Sequence, residues 1–220
     1  MSTTSTRPGT AHGRTGATAV HPLVADRWSP RAFDAAPLPD AEVVSLLEAA
    51  RWAPSAMNAQ PWRFLVGRTT EDGPDATHTG LLGTLAPPNR AWAHRAPVLV
   101  AALTRVVEDD GSARAVGPYE LGLAVAQLTV QAESLGLHVH QIGGFDAEAV
   151  VDAFEVPVGY RPVAVLAVGR LGDAAGLPGW ARAREGAARS RLGLEELAFA
   201  GRFGQAFDGL GSEDAGSAAA

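Results

Sequence analysis

Two arginines, a serine and a tryptophan come together early in the chain and could bind a phosphate group. The segment reads Arg27-Trp28-Ser29-Pro30-Arg31. Guanidinium groups donate forked, charge-assisted hydrogen bonds to phosphate oxygens, and the serine hydroxyl between them adds a further donor. The alternative interpretation is a solvated surface turn, because motifs this short often occur without a function.

A second polar segment lies between two prolines, after a stretch with helical character. Residues 53–62 read APSAMNAQPW, and the loop they form presents Ser55, Asn58 and Gln60. Their hydrogen-bond donors and acceptors suit a flat heterocycle that carries ring nitrogens and carbonyls. An ordinary loop made of turn-forming polar residues is the alternative.

A third segment places two adjacent glycines between the end of a strand and the start of a helix. Residues 141–146 read QIGGFD. The missing side chains of Gly143 and Gly144 let the backbone approach a ligand closely, and free N–H groups there can donate to it. Plain turn chemistry would use the same residues.

A fourth segment, RSRLGL at residues 189–194, brings Arg189 and Arg191 close to the C-terminal end, opposed by Glu195 and Glu196. Alone it is an ordinary basic patch. Together and in this order, the four segments resemble the nitroreductase family, whose members depend on FMN. The resemblance rests on Arg-x-Ser-x-Arg, Pro-Ser-x-x-Asn-x-Gln-Pro-Trp, Ile-Gly-Gly-Phe-Asp and a late Arg-x-Arg, and it spans about residues 21 to 195. The second pattern is the most specific of the four.

Hydrophobic periodicity and turn residues predict the elements that must position these segments. Because helices and strands mix without a regular βαβ repeat, the fold class is α+β. The segment from Tyr119 to Leu135 is apolar on nearly every side, which indicates a core helix or an interface helix. The predicted helices are 37–53, Thr79–Leu85, Tyr119–Leu135 and Asp146–Phe154, and the predicted strands are Trp62–Gly67, Ala96–Leu103, Leu137–Gln141 and Pro162–Gly169.

Composition excludes several classes of function. The net charge of −6 argues against nucleic acid and anionic membranes as partners. The absence of cysteine and lysine removes thiolate catalysis, Schiff-base chemistry and P-loop nucleotide binding. No apolar run is long enough to span a bilayer and no secretory signal is evident, so we expect a cytoplasmic protein.

Other enzyme motifs are missing as well. The sequence contains no G-x-G-x-x-G, G-x-S-x-G or H-E-x-x-H pattern, so the Rossmann and common hydrolase interpretations lose their support. His138 and His140 share one face of a predicted strand and could begin a metal site. Because neither a cysteine nor an acidic residue lies at useful spacing, we expect no metal.

The resemblance implies a nitroreductase-like three-layer fold: a central, mostly antiparallel sheet flanked by helices, in an intertwined homodimer with FMN at the interface. A domain of residues 21–207 would bind FMN, between disordered tails at 1–20 and 208–220. By the same likeness, the phosphate and ribityl chain would contact Arg27, Trp28, Ser29 and Arg31, with Arg189 and Arg191 closing on the phosphate. Ser55, Asn58 and Gln60 would lie at the flavin or shape its pocket, and Gly143 and Gly144 would place a backbone N–H near the flavin N5.

The implied activity is ping-pong hydride transfer from NADH or NADPH through FMN to a small organic acceptor such as a nitroaromatic or a quinone. The flavin carries the reaction, so we assign no protein acid or base. Two alternatives stay open: a dehydrogenase of a natural-product intermediate, and a non-catalytic FMN-binding protein. The fourth segment departs from the family pattern, because Arg191 is followed by Leu-Gly-Leu where proline commonly precedes the leucine.

Overall fold

The computed structural model describes residues 20–108 and 110–210. Contacts divide the described residues into two compact units, one of residues 22–187 and one that includes residues 20–21 and 188–210. The larger unit contains these helices and strands, in chain order: α1 Pro22–Ala25, α2 Asp40–Arg51, a 3-10 turn Ala56–Asn58, β1 Trp62–Thr70, β2 Gly73–Pro74, α3 Ala76–Thr84, α4 Pro87–Ala93, β3 Val98–Arg105, α5 Gly117–Ser134, β4 His138–Ile142, α6 Ala147–Ala153, β5 Tyr160–Gly169, a 3-10 turn Ala174–Gly176 and α7 Gly179–Glu185.

The sheet of the larger unit has the strand order β2-β1-β3-β5-β4, and every neighbouring pair is antiparallel. Strand β3 lies at the centre, with Ala101 opposite Leu65 of β1 and opposite Val165 of β5. All residues of β3 except Arg105 are buried. A near-continuous apolar strand of this kind is typical of a sheet covered on both faces.

Alternation along β3 divides the interior into two cores, because successive side chains of a strand point to opposite faces. Val98 and Val100 join the core formed with α2 and α5. Leu99 and Ala101 join the other core, formed with α3, α4 and α6. The result is the three-layer α+β arrangement expected from the sequence.

Local sequence explains where the site-bearing helices begin. Asp40 and Glu42 lie in the first turn of α2, where acidic groups are favoured by the helix dipole. Asp146 caps α6, since its carboxylate accepts a hydrogen bond from the Ala149 amide at 3.0 Å. This cap fixes the chain directly after the paired glycines.

The predicted elements are all present, with ends shifted by a few residues. Strand β1 runs three residues beyond the predicted Gly67, to Thr70, and β3 starts at Val98 rather than Ala96. Three helices and one strand were not predicted: α1, α4, α7 and β2. Each of these has seven or fewer residues and carries little periodicity; α4 also begins at a double proline that reads as a loop.

The smaller unit contains a 3-10 turn, Leu194–Glu196, and a β-bridge between Phe199 and Ala206. The rings of Phe199 and Phe203 lie 4.7 Å apart, centroid to centroid. The predicted N-terminal tail lies outside the described residues except for Val20, and the predicted C-terminal tail is described only for 208–210. Across the described residues, no helix is both long and apolar enough to cross a membrane.

Candidate functional site

The first segment, residues 27–31, lies along strand β4. The carbonyl oxygen of Pro30 lies 2.8 Å from Nδ1 of His140, and the Trp28 ring meets the His138 ring edge-on at a centroid distance of 6.4 Å. Because β4 ends at Ile142 and the paired glycines follow at once, the fold brings the first and third segments together.

Two guanidinium groups and a hydroxyl are available in the first segment. Arg27 Nη1 donates to Ser29 Oγ at 3.3 Å, so charge and hydroxyl lie side by side. None of the described residues forms a hydrogen bond with the guanidinium of Arg31. Burial lowers the pKa of Arg31 below its usual value, Glu185 opposes that shift and Arg184 adds to it. The segment is therefore a cationic cluster suited to an anion.

Glu185, at the end of α7, holds the backbone of the first segment. Its carboxylate accepts from the Arg31 amide at 2.9 and 3.0 Å and from the Ala32 amide at 2.9 Å. These two N–H groups are therefore already satisfied, which leaves anion binding to the side chains. Sequence reasoning missed this contact because 154 residues separate Arg31 from Glu185 and no motif links them.

The turn of Gly143 and Gly144 is exposed and fixed from one side. The Gly144 carbonyl accepts from the Ala86 amide at 3.0 Å and from Asn89 Nδ2 at 2.9 Å. A Cβ at Gly144 would lie 2.6 Å from Asn89 Nδ2, so a side chain here would displace the Asn89 amide. Among the described residues, no acceptor is bonded to the amide of Gly143 or Gly144. Two backbone donors thus stay available to a ligand.

The second segment forms a tight loop in which several backbone amides donate hydrogen bonds within the loop itself. The Asn58 amide donates to the Ser55 carbonyl at 3.0 Å, and the Gln60 amide donates to Ser55 Oγ at 3.0 Å. Ser55 therefore shapes the loop, whereas Asn58 is exposed and Gln60 is half-buried. Both side chains line a surface cavity of about 270 Å³ together with Trp52.

Within one chain, the second segment does not lie beside the first and third. It precedes β1, whereas the paired glycines follow β4, and strands β3 and β5 separate β1 from β4. Three strand spacings amount to roughly 14 Å. A ligand that contacts both regions must be long or must draw on more than one copy of the chain.

The fourth segment belongs to the smaller unit. There Arg191 is exposed, and its Nη1 donates to the carbonyl of Ser190 at 2.6 Å. Arg189 is half-buried.

The two histidines of β4 have separate partners. His138 Nδ1 lies 3.1 Å from Glu133 Oε1, whereas His140 meets the Pro30 carbonyl. Within residues 20–108 and 110–210, no three His, Asp or Glu side chains cluster in a way that could hold a metal ion. Burial lowers the pKa of His140 to about 4, so the ring is neutral near pH 7.

Comparison with known proteins places this arrangement in a family. Residues 24–170 match the family model described as the nitroreductase family. The chain belongs to the nitroreductase family. This membership confirms the family resemblance, the nitroreductase-like α+β fold and the oxidoreductase class predicted from the sequence.

Individual relatives agree with that assignment. The chain is 43% identical over 146 residues to an uncharacterised 15.4 kDa protein in the ask 5′ region of Mycolicibacterium smegmatis, which covers 64% of this chain and 97% of that protein. It is also similar to a solved oxidoreductase containing FMN, with 36% identity, a TM-score of 0.79, and coverage of 87% of this chain and 96% of the other.

A protein from Exiguobacterium sibiricum solved in complex with FMN shares the fold, with 22% identity, a TM-score of 0.66, and coverage of 82% of this chain and 97% of the other. The family match ends at residue 170, so Arg189 and Arg191 lie beyond it.

Proposed function

We propose that this chain is an FMN-dependent oxidoreductase that transfers hydride from NADH or NADPH to a small organic acceptor such as a nitroaromatic or a quinone. One observation carries the proposal. The cationic segment of residues 27–31 lies beside β4, and the exposed amides of Gly143 and Gly144 follow the end of the same strand. A cluster of cations followed by backbone donors suits a cofactor with a phosphate at one end and a hydrogen-bonding ring at the other. The FMN in the 36% identical relative supports the same cofactor here.

The phosphate end of FMN would be held by the first segment. A phosphate monoester carries between one and two negative charges at neutral pH and requires cationic partners. The guanidinium groups of Arg27 and Arg31 and the hydroxyl of Ser29 supply that donor set, while Trp28 would pack beside the ribityl chain. We propose that Arg189 and Arg191 close on the same phosphate.

The ring end would meet the exposed amides of Gly143 and Gly144. FMN held there would supply hydride transfer between the nicotinamide and the acceptor. The chain's own contribution is to orient the ring, to donate hydrogen bonds from these amides and to exclude water. No side chain of the described site is positioned by its contacts as an obligatory acid or base, so we assign none.

The second segment would complete the site from another copy of the chain. The separation of β1 from β4 supports a homodimer in which Asn58 and Gln60 of one copy reach the flavin held by the other. Helix α5 supplies an apolar surface for such a contact, with Val130 and Tyr119 exposed. We propose that residues 21–207 form the FMN-binding domain and that the enzyme acts in the cytoplasm, where nicotinamide donors are available.

An anaerobic visible spectrum of the protein with FMN tests this function. We expect flavin absorbance to bleach when NADH or NADPH is added and to return when a nitroaromatic or a quinone follows. Flavin that binds but never bleaches would favour the dehydrogenase or the non-catalytic alternative. If no flavin binds, the proposed function is wrong.

A further inference from the structure

A buried carboxylate reaches from helix α5 to the loop of residues 55–60. Glu120 lies in the first turn of α5 and is 3% exposed. Its Oε1 accepts a hydrogen bond from the Ala56 amide at 2.7 Å, across 64 residues of sequence. The loop is therefore attached to the body of the fold by a charged acceptor.

The same carboxylate is held on its other side by Arg114. Oε2 of Glu120 accepts from Arg114 Nη2 at 2.6 Å, and Arg114 is 7% exposed. Arg114 Nη1 also donates to Glu108 Oε1 at 2.7 Å. A buried charge needs such partners, because removal from water is costly for each ion alone. The Glu108–Arg114–Glu120 chain fixes where the acceptor points.

The loop needs an external anchor because its backbone is strained. Met57 and Asn58 both have a φ of 54°, and Gln60 has a φ of 45°. These values lie in the left-handed region, which residues other than glycine rarely adopt. Such conformations persist only where surrounding contacts impose them. Ala56 is the first residue of the 3-10 turn, so its amide has no acceptor within that turn. Glu120 supplies one.

We propose that Glu120 is a positioning residue for the flavin site. It holds the loop of residues 55–60 in the conformation that presents Asn58 and Gln60, and Arg114 keeps the Glu120 carboxylate aimed at Ala56. The ligand in question is the FMN of the proposed function, on which this inference rests. The anchoring itself is a property of the ligand-free chain, so it can be measured without any flavin.

Two double variants isolate the anchor from the buried charges. Arg114→Met/Glu120→Gln removes both charges but keeps a carbonyl oxygen that can accept from the Ala56 amide. Arg114→Met/Glu120→Leu removes the charges and the acceptor with nearly the same side-chain volume. Neither variant leaves an unpaired buried charge, since the Glu108 side chain is 36% exposed and can be solvated. Both are therefore expected to fold.

Hydrogen–deuterium exchange of residues 54–61 in flavin-free protein gives the first measurement, and fluorescence titration with FMN gives the second. In the Leu variant we expect about tenfold faster loop exchange and about tenfold weaker FMN binding, as for the loss of one hydrogen bond to a buried acceptor. The Gln variant should stay close to the unsubstituted protein in both. Thr129→Ala is the control, because Thr129 is buried on the same helix and its hydroxyl donates to the Val125 carbonyl at 2.7 Å, within α5 and away from the loop.

Equal loop exchange in the two double variants would overturn the inference. Faster exchange in the Leu variant with unchanged FMN affinity would also overturn it, since the anchor would then serve stability alone. If the unsubstituted protein binds no FMN, the proposed function fails. In that case the exchange contrast between Gln and Leu would still support the anchor.

Discussion

The Nδ1 atom of His140 lies 2.8 Å from the carbonyl oxygen of Pro30. Since a carbonyl oxygen only accepts, this ring nitrogen carries the proton and donates it. The ring also packs against the ring of Trp92, with the two centroids 4.5 Å apart. His140 thus ties the proposed phosphate-binding segment to the sheet through a neutral imidazole.

Stability should fall in mild acid because of His140. Its pKa in the folded chain is about 4 against an ordinary 6.5, so the unfolded chain binds a proton more readily between these values. The contribution of the neutral ring is fully present above pH 6.5 and is lost as the pH falls toward 4. We expect a loss of about 2 kcal/mol between pH 7.5 and pH 5, measured by urea denaturation. His140→Gln, which keeps an amide donor, should flatten this dependence; an unchanged slope in that variant would refute the assignment to His140.

Arg27→Met should weaken binding of FMN without weakening binding of riboflavin, which lacks the phosphate. Loss of a charge-assisted hydrogen bond predicts an increase in the FMN Kd of about 10- to 100-fold. Arg161→Met makes the same charge change at an exposed position of β5 and serves as the control. Fluorescence titration of each variant with both flavins gives the comparison. An equal loss of affinity for FMN and riboflavin would show that Arg27 does not bind the phosphate.

Gly144→Ala should destabilise the fold through Asn89. The new Cβ would lie 2.6 Å from Asn89 Nδ2, so the amide must move and release the Gly144 carbonyl. We expect a cost of about 1 kcal/mol in the free energy of unfolding. In an Asn89→Ala background that cost should largely vanish, as in a coupled pair. Gly143→Ala, whose Cβ would meet nothing within 4 Å, should leave stability unchanged.

Gly67→Ala should destabilise the fold far more than Gly144→Ala. Its Cβ would lie 2.2 Å from the backbone nitrogen of His78, where helix α3 crosses β1, and backbone atoms cannot rotate aside. Overpacking of this kind costs about 3 kcal/mol or more. Gly83→Ala in the same helix α3 has open space at Cβ and should instead stabilise by about 0.5 to 1 kcal/mol. Urea denaturation of both variants would test the contrast, and similar values would contradict it.

The sequence predicted what depends on neighbouring residues. The apolar stripe of α2, the cap at Asp146 and the apolar strand β3 are local patterns, and each produces its element in the structure. The four candidate segments were found because each is contiguous. Their anchors were not found, because Glu120 and Glu185 reach the loops they hold across 64 and 154 residues, respectively. Such pairings are set by the tertiary fold and leave no periodic trace.

The central position of β3 has a consequence for biosynthesis. Its second partner, β5, begins 55 residues after β3 ends, at Tyr160. At translation rates of about 5–20 residues per second, roughly 3 to 11 s pass before that strand can be made. Throughout this interval an apolar strand presents an unpaired edge, which is a template for aggregation. Added chaperone capacity during synthesis should therefore raise the yield of native protein, because a chaperone can cover this edge until β5 is made.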